Sequence, residues 1–188
     1  IHFNHRLAIM AAENGIAKLR MNPGNIGGPE HVREVAACAR MHGIPIRIGV
    51  NSGSVERELL AKYGYPSAEA MVESALNHAA LLEQAGFTDI VLSMKASDVA
   101  TTVAAYRLAH RRCGYPLHVG VTEAGLPGQG TIKSAIGIGA LLLDGIGDTI
   151  RVSLSGDPLP EAQAAWDILR ALNIRWAGIQ LVSCPTCG

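Results

Sequence analysis

The 188-residue chain is 48% hydrophobic and balances 16 Lys and Arg against 16 Asp and Glu, for a formal net charge of zero. That is enough apolar material for one sizeable core. The lack of a basic surplus argues against general nucleic-acid binding, so any anion site must come from local clustering. The longest apolar run, around Gly139–Leu143, falls far short of the roughly 20 residues that cross a bilayer. No charged segment leads into an apolar stretch as in a secretory signal, so no membrane association is expected and the expected location is cytoplasmic.

In chain order, Ile1-His2-Phe3 reads as the tail of a strand, and the chain stops just after a cysteine pair. Both ends therefore read as cut. Strands follow at Lys18–Asn22, Pro45–Asn51, Asp89–Lys95, Leu117–Thr122, Thr149–Ser153 and Gly178–Ser183. Helical patterns lie between them near Pro29–His42, Ala68–Ala85, Asp98–Arg112, Thr131–Leu143 and Leu159–Leu172. The breaker-rich Lys62-Tyr63-Gly64-Tyr65-Pro66 marks a short extra helix before the second of these. Gly43, Gly86 and Gly114 sit where helix-ending glycines belong, and Pro45 and Pro116 open the next strands. Strand and helix in alternation mean parallel strands with crossover helices, in a doubly wound sheet or a (β/α)-barrel. No Gly-x-Gly-x-x-Gly follows a first strand, which weakens the dinucleotide-binding version.

Side chains alternate between the two faces of a strand. Arg20 and Asn22 oppose Leu19 and Met21; Arg47 and Asn51 oppose the aliphatics of their strand; Ser93 and Lys95 oppose Ile90, Leu92 and Met94. His118, Gly120 and Thr122 share one face of the next strand, and Arg151, Ser153 and Ser155 one face of the fifth. A barrel interior is ordinarily filled by Val, Ile and Leu, and unpaired buried cations are too costly to act as filler. Arg20, Arg47, Lys95 and Arg151 must therefore meet anions. Few inward carboxylates are in view, so a phosphate-bearing ligand is the economical counter-charge.

The segments after these strands, Asn22–Gly27, Asn51–Ser54, Thr122–Gly125 and Ser153–Asp157, are rich in Gly, Asn and Ser. They suit close backbone approach at the mouth of a barrel. Glu123 stands just past a strand end and is the candidate proton donor or acceptor to a substrate hydroxyl. His2 and His118 fall at strand positions and are further site candidates. Cys38 and Cys113 sit alone in helical patterns and read as small buried residues. Cys184-Pro185-Thr186-Cys187 is different: two thiolates at this spacing suit zinc, an iron–sulfur cluster or a redox dithiol.

Taken in order, seven segments resemble the 4-hydroxy-3-methylbut-2-enyl diphosphate synthases over essentially the whole chain. They are Ile1–Phe3, Lys18–Gly27, Ile46–Ser54, Ser93–Ser97, Gly120–Gly125, Arg151–Leu154 and Ser183–Gly188. The resemblance implies a TIM (β/α)8-type barrel, here truncated over residues 1–182. Residues 183–188 would begin a ferredoxin-like domain that carries a 4Fe-4S cluster. It implies that Cys184 and Cys187 ligate that cluster, with a further Cys and a Glu downstream. It also implies that Arg20, Arg47, Asn51, Lys95, Arg151 and Ser153 hold the diphosphate of 2-C-methyl-D-erythritol 2,4-cyclodiphosphate, and that Glu123 acts near its hydroxyl. The implied reaction is reductive ring opening and dehydroxylation, with ferredoxin or flavodoxin as electron donor and a homodimer as the working form. The competing expectation is another phosphate-binding barrel transferase, pterin-synthase-like, with a structural zinc on the cysteine pair. A third is a non-catalytic scaffold built from the same repeat.

Overall fold

Five parallel strands, each followed by a helix, order the chain, and a computed structural model describes residues 4–22 and 26–176 of it. The strands are β1 (Leu19–Met21), β2 (Ile46–Asn51), β3 (Ile90–Lys95), β4 (His118–Val119) and β5 (Thr149–Ile150). The helices are α1 (His5–Glu13), α2 (Gly28–Met41), α3 (Arg57–Tyr63), α4 (Ala68–Gln84), α5 (Val99–Arg112), α6 (Gln129–Leu143) and α7 (Leu159–Ala171). A 3-10 turn over Ser52–Ser54 links β2 to α3. The short helix expected around Lys62 is α3. It ends at Gly64, whose φ of 80° is the left-handed conformation that lets the chain leave a helix without a Cβ penalty.

Local chemistry sets the helix starts. Asn4, Ser67 and Asp98 accept backbone N–H bonds from Arg6, Ala70 and Thr101 and so cap α1, α4 and α5. Pro29 occupies the first turn of α2, where its missing N–H costs nothing. Residues 5–13 carry no helix in the sequence pattern. They form α1, which buries Ala8 and Ala12 and stacks the His5 ring on His31 of α2 at 3.7 Å.

Strands β1, β2 and β3 pair in order and in parallel, with Arg20 opposite Arg47, Arg47 opposite Val91, and Asn51 opposite Lys95. Strands β4 and β5 pair separately, His118 opposite Thr149. A single bridge from Leu92 to Leu117 joins the two sheets into one run. The apolar strand face, with Leu19, Ile46, Ile48, Val50, Leu92 and Met94 almost wholly buried, meets Val35, Ala36, Met71, Ala75, Leu82 and Ala105 of the helices. Each fully buried aliphatic there contributes on the order of 1.5–3 kcal/mol.

Two strands are shorter than their patterns predict. Direct pairing covers His118–Val119 rather than 117–122, and Thr149–Ile150 rather than 149–153. The reason for the first lies in α5: the Tyr106 hydroxyl sits between β3 and β4, accepting from Met94 N at 3.1 Å and donating to the His118 carbonyl at 2.6 Å. The strand expected at 178–183 lies outside the described residues. Among those described, no helix is long and apolar enough to cross a membrane.

Candidate functional site

The strand register arranges the second strand face in tiers. Arg20, Arg47 and Val91 stand level in one tier. One step toward the strand C-termini come Gly49, Ser93, His118 and Thr149, and beyond them, continuing the same register, Asn51, Lys95, Gly120 and Arg151. Two of these positions are glycine, and both are hollows filled by a cation. A Cβ on Gly49 would collide with Arg20 Nε and come 2.9 Å from its Nη2, and Arg20 Nη2 donates to the Gly49 carbonyl at 3.0 Å. A Cβ on Gly120 would collide with the Arg151 carbonyl and come 3.0 Å from Lys95 Nζ.

Electrostatics confirms that the cations share one space. Burial, then the charges of Arg47, Arg151 and Arg20, lower Lys95 to about 7, against a weaker pull from Glu161. Burial, Arg20 and Arg151 hold Arg47 below the usual guanidinium range. Burial also lowers Arg20. His118 falls to about 3, first by burial and then by Lys95, Arg47, Lys18 and Arg151. Its imidazole is therefore neutral at physiological pH, with Nδ1 2.8 Å from Thr149 Oγ1. Two atoms facing this group of cations, Arg47 Nε and His118 Nε2, are buried without a hydrogen-bond partner among the described residues. Such atoms ask for an acceptor or a donor to enter.

The remaining candidates are placed as follows. Asn22 is buried, and Asn51 is half-buried at the end of β2, where its N–H donates to Ser54 Oγ at 3.0 Å. Arg151 is the solvent-facing member, 57% exposed, with Nη2 3.6 Å from Glu161 Oε1. Glu161, in the first turn of α7, also accepts from Leu154 N at 2.8 Å and so ties the segment after β5 to that helix. Ser153 is half-buried just beyond β5. Glu123 is exposed, with a left-handed φ of 51°, and Glu161 is a carboxylate that acts on Lys95. His2, Cys184 and Cys187 lie outside the described residues. Cys38 is buried and Cys113 half-buried, both as free thiols. Sequence reasoning missed Glu161, Thr149 and Tyr106, and it missed the spatial role of Gly49 and Gly120. Only the two glycines carried a signal, an apolar strand interrupted by the residue that packs least.

This arrangement can bind a multiply charged anion by three guanidinium forks and an ammonium at a strand-end mouth. Residues 1–166 match the family described as the GcpE TIM-barrel domain. The chain belongs to this GcpE family. Its five parallel strands are thus part of a TIM-barrel domain, and the helices form that domain's outer layer. Similar GcpE relatives are the 4-hydroxy-3-methylbut-2-en-1-yl diphosphate synthases (flavodoxin) of Geobacter sulfurreducens, Ruminiclostridium cellulolyticum and Clostridium perfringens. They are 62%, 60% and 57% identical over 188 residues, which is all of this chain and 53%, 53% and 54% of theirs. The chain thus spans about half the length of the curated relatives it matches. A crystal structure of type I 3-dehydroquinate dehydratase from Clostridium difficile, with covalently modified comenic acid, superposes with a TM-score of 0.56 at 12% identity. It covers 89% of this chain and 60% of that one, and the likeness is one of fold.

Proposed function

We propose that this GcpE chain is the substrate-holding barrel of a 4-hydroxy-3-methylbut-2-enyl diphosphate synthase. The reaction is reductive ring opening and dehydroxylation of 2-C-methyl-D-erythritol 2,4-cyclodiphosphate, consuming two electrons and losing the hydroxyl oxygen as water. The observation that carries the reading is the mutual repulsion of Arg20, Arg47, Lys95 and Arg151 in one space, beside two polar atoms without a partner among the described residues. A diphosphate is the counter-charge of matching size and valence. Relatives bearing that activity in their names support it.

In this reading Arg20, Arg47, Asn51, Lys95, Arg151 and Ser153 grip the diphosphate, and Asn22, His118 and His2 line the same space. Lys95 gains its proton as the anion enters, because a bound dianion reverses the local potential that depresses it. Glu123 moves a proton at the substrate hydroxyl. Residues 1–182 belong to the barrel, and 183–188 to a ferredoxin-like iron–sulfur domain. The thiolate pair of Cys184 and Cys187 suits a 4Fe-4S cluster, although the described residues contain no group of ligands for a metal. When bound, that cluster would supply the electrons, received from flavodoxin or ferredoxin, in a cytoplasmic homodimer.

The test is calorimetric titration with inorganic pyrophosphate and with the cyclodiphosphate, set beside the Lys95→Met and Arg47→Met variants. Micromolar binding of both ligands, weakened at least tenfold in each variant, is expected. Equal binding by wild type and both variants sinks the reading. Anaerobic purification at full encoded length, followed by iron and sulfide analysis, tests the cluster. Stoichiometric zinc in their place would favour the transferase.

A further inference from the structure

In a parallel sheet, alternate residues of a strand bond to the neighbour on one side and the rest to the other. Ile46 N bonds to the Asp89 carbonyl, so the odd-numbered residues of β3 serve β2. Leu92 N bonds to the Pro116 carbonyl, so the even-numbered ones serve β4. Continuing that ladder, Met94 N would meet the His118 carbonyl and Ala96 N the Gly120 carbonyl. Neither bond is direct. Tyr106 Oη stands between Met94 N and the His118 carbonyl, at 3.1 and 2.6 Å. Thr102 Oγ1 accepts from Ala96 N at 3.1 Å, and its hydroxyl donates on the same side of the seam, with Oγ1 2.8 Å from the Asp98 carbonyl oxygen and 3.1 Å from that of Ala96. The ladder then resumes with Thr122 N on the Ala96 carbonyl at 3.2 Å.

The residue between the two interrupted positions is Lys95. Thr102 and Tyr106 are four residues apart, one turn of α5, and so present their hydroxyls along one side of that helix. Both side chains are buried. Tyr106 also reaches the Ser93 side chain and feels the charge of Arg47, so its hydroxyl passes through the seam to the face where the cations lie. The seam is held apart by the width of a hydroxyl group beside Lys95, and His118 lies on the opposite bank.

We propose that Tyr106 and Thr102 are positioning residues for the anion site: the Tyr106 hydroxyl replaces one main-chain rung between β3 and β4, the Thr102 hydroxyl occupies the Ala96 N–H that would form the next, and together they set the separation and aim of Lys95 and His118. This rests on the diphosphate reading for its consequence in binding, but the wedge itself stands on hydrogen-bond geometry. Without the hydroxyl, Met94 N and the His118 carbonyl either stay unpaired or close on each other, and closing draws Lys95 toward His118. The groups facing Lys95 are Arg20, Arg47, Arg151 and His118 from the strands, and Glu161 from α7. Tyr106 supplies a hydroxyl from α5.

The experiment uses the protein at its full encoded length in three variants: Tyr106→Phe, Thr102→Val and a distant core control, Val35→Ala. Two quantities are read. One is the Kd for inorganic pyrophosphate. The other is the pH at which Lys95 titrates in the ligand-free protein, followed by 13Cε-lysine NMR and assigned with Lys95→Met. Tyr106→Phe should weaken pyrophosphate by about tenfold and Thr102→Val by about threefold, and each should move the Lys95 titration. Thr102→Ser, which keeps the hydroxyl, should restore both. Val35→Ala loses stability without changing either. If Tyr106→Phe does not fold, Thr102→Val and its serine rescue decide. Should the wild type bind no pyrophosphate, the diphosphate reading fails while the Lys95 titration still decides the wedge. An unmoved Lys95 titration in both hydroxyl-deleting variants overturns the proposal.

Discussion

Lys95→Met should make the ligand-free protein more stable while removing its hold on diphosphate. The Lys95 ammonium is 9% exposed and is pushed from 10.5 to about 7, chiefly by burial and then by three arginines. At about 1.4 kcal/mol per unit, that displacement corresponds to roughly 5 kcal/mol of charge burial. Met keeps the unbranched stem and discards the charge, so most of that cost is relieved and little packing is lost. Allowing for imperfect repacking, the expected gain near pH 6 is about 2–4 kcal/mol, or several degrees in Tm for a chain of this size. The pH dependence is the sharper part. Between about pH 7 and 10 the unfolded wild-type chain carries the Lys95 proton and the folded one does not. Wild-type stability therefore rises with pH through that window. The gap to Lys95→Met is full below pH 7 and narrows toward pH 10. Urea denaturation at pH 6, 8 and 9.5 measures it, and saturating pyrophosphate should narrow it by stabilising the wild type more than the variant. A Lys95→Met protein less stable than wild type at pH 6, or a gap unchanged at pH 9.5, would refute the reasoning.

Gly120→Ala and Gly49→Ala should fail differently. At Gly120 the added methyl collides with the backbone carbonyl of Arg151, so a loss of about 1–3 kcal/mol in denaturant unfolding is expected. At Gly49 the methyl meets the end of the Arg20 side chain, which swings away; stability should fall little while the pyrophosphate Kd rises about tenfold by calorimetry. His118 stays neutral down to about pH 3, whereas the unfolded chain takes up its proton near 6.5, so stability should fall as pH drops through that interval. His118→Gln should flatten this limb of the urea midpoint plotted against pH. Glu161→Gln removes the carboxylate that answers Arg151 and Lys95. It should lower the Lys95 titration further, read by 13C NMR, while costing little stability, because the Gln amide oxygen still accepts from Leu154 N.

How much of this was legible depended on whether the information was local. Alternation along a strand is local, and it put Arg20, Arg47 and Lys95 on one face because an apolar residue stood on either side of each. The helix boundaries followed from caps and glycines within a few residues. The parts that escaped depend on partners distant in sequence. Tyr106 reads as one more aromatic in an amphipathic helix until β3 and β4 flank it. Its hydroxyl then shortens a strand whose β-branched pattern ran on to Thr122. Glu161 looks like an ordinary first-turn acid until β5 brings Arg151 alongside. Gly49 lies inside an otherwise strong strand, where glycine weakens the element. The compensating gain, room for a guanidinium from the next strand, shows only in three dimensions.

The tiers also explain why a histidine stands among four cations. Each added charge raises the potential that already lowers Lys95 and Arg47, so a fifth permanent cation would cost more than any of the first four. A neutral imidazole adds a buried polar atom, Nε2, without that charge, and Thr149 beneath it fixes which way the ring faces. In the proposed diphosphate reading, His118 would meet an uncharged or bridging oxygen, while the arginines and Lys95 would take the charged ones. The helices meanwhile bury an uninterrupted aliphatic face against the other side of the same strands. That burial, laid down by every second residue, offsets the repulsion that the intervening residues create.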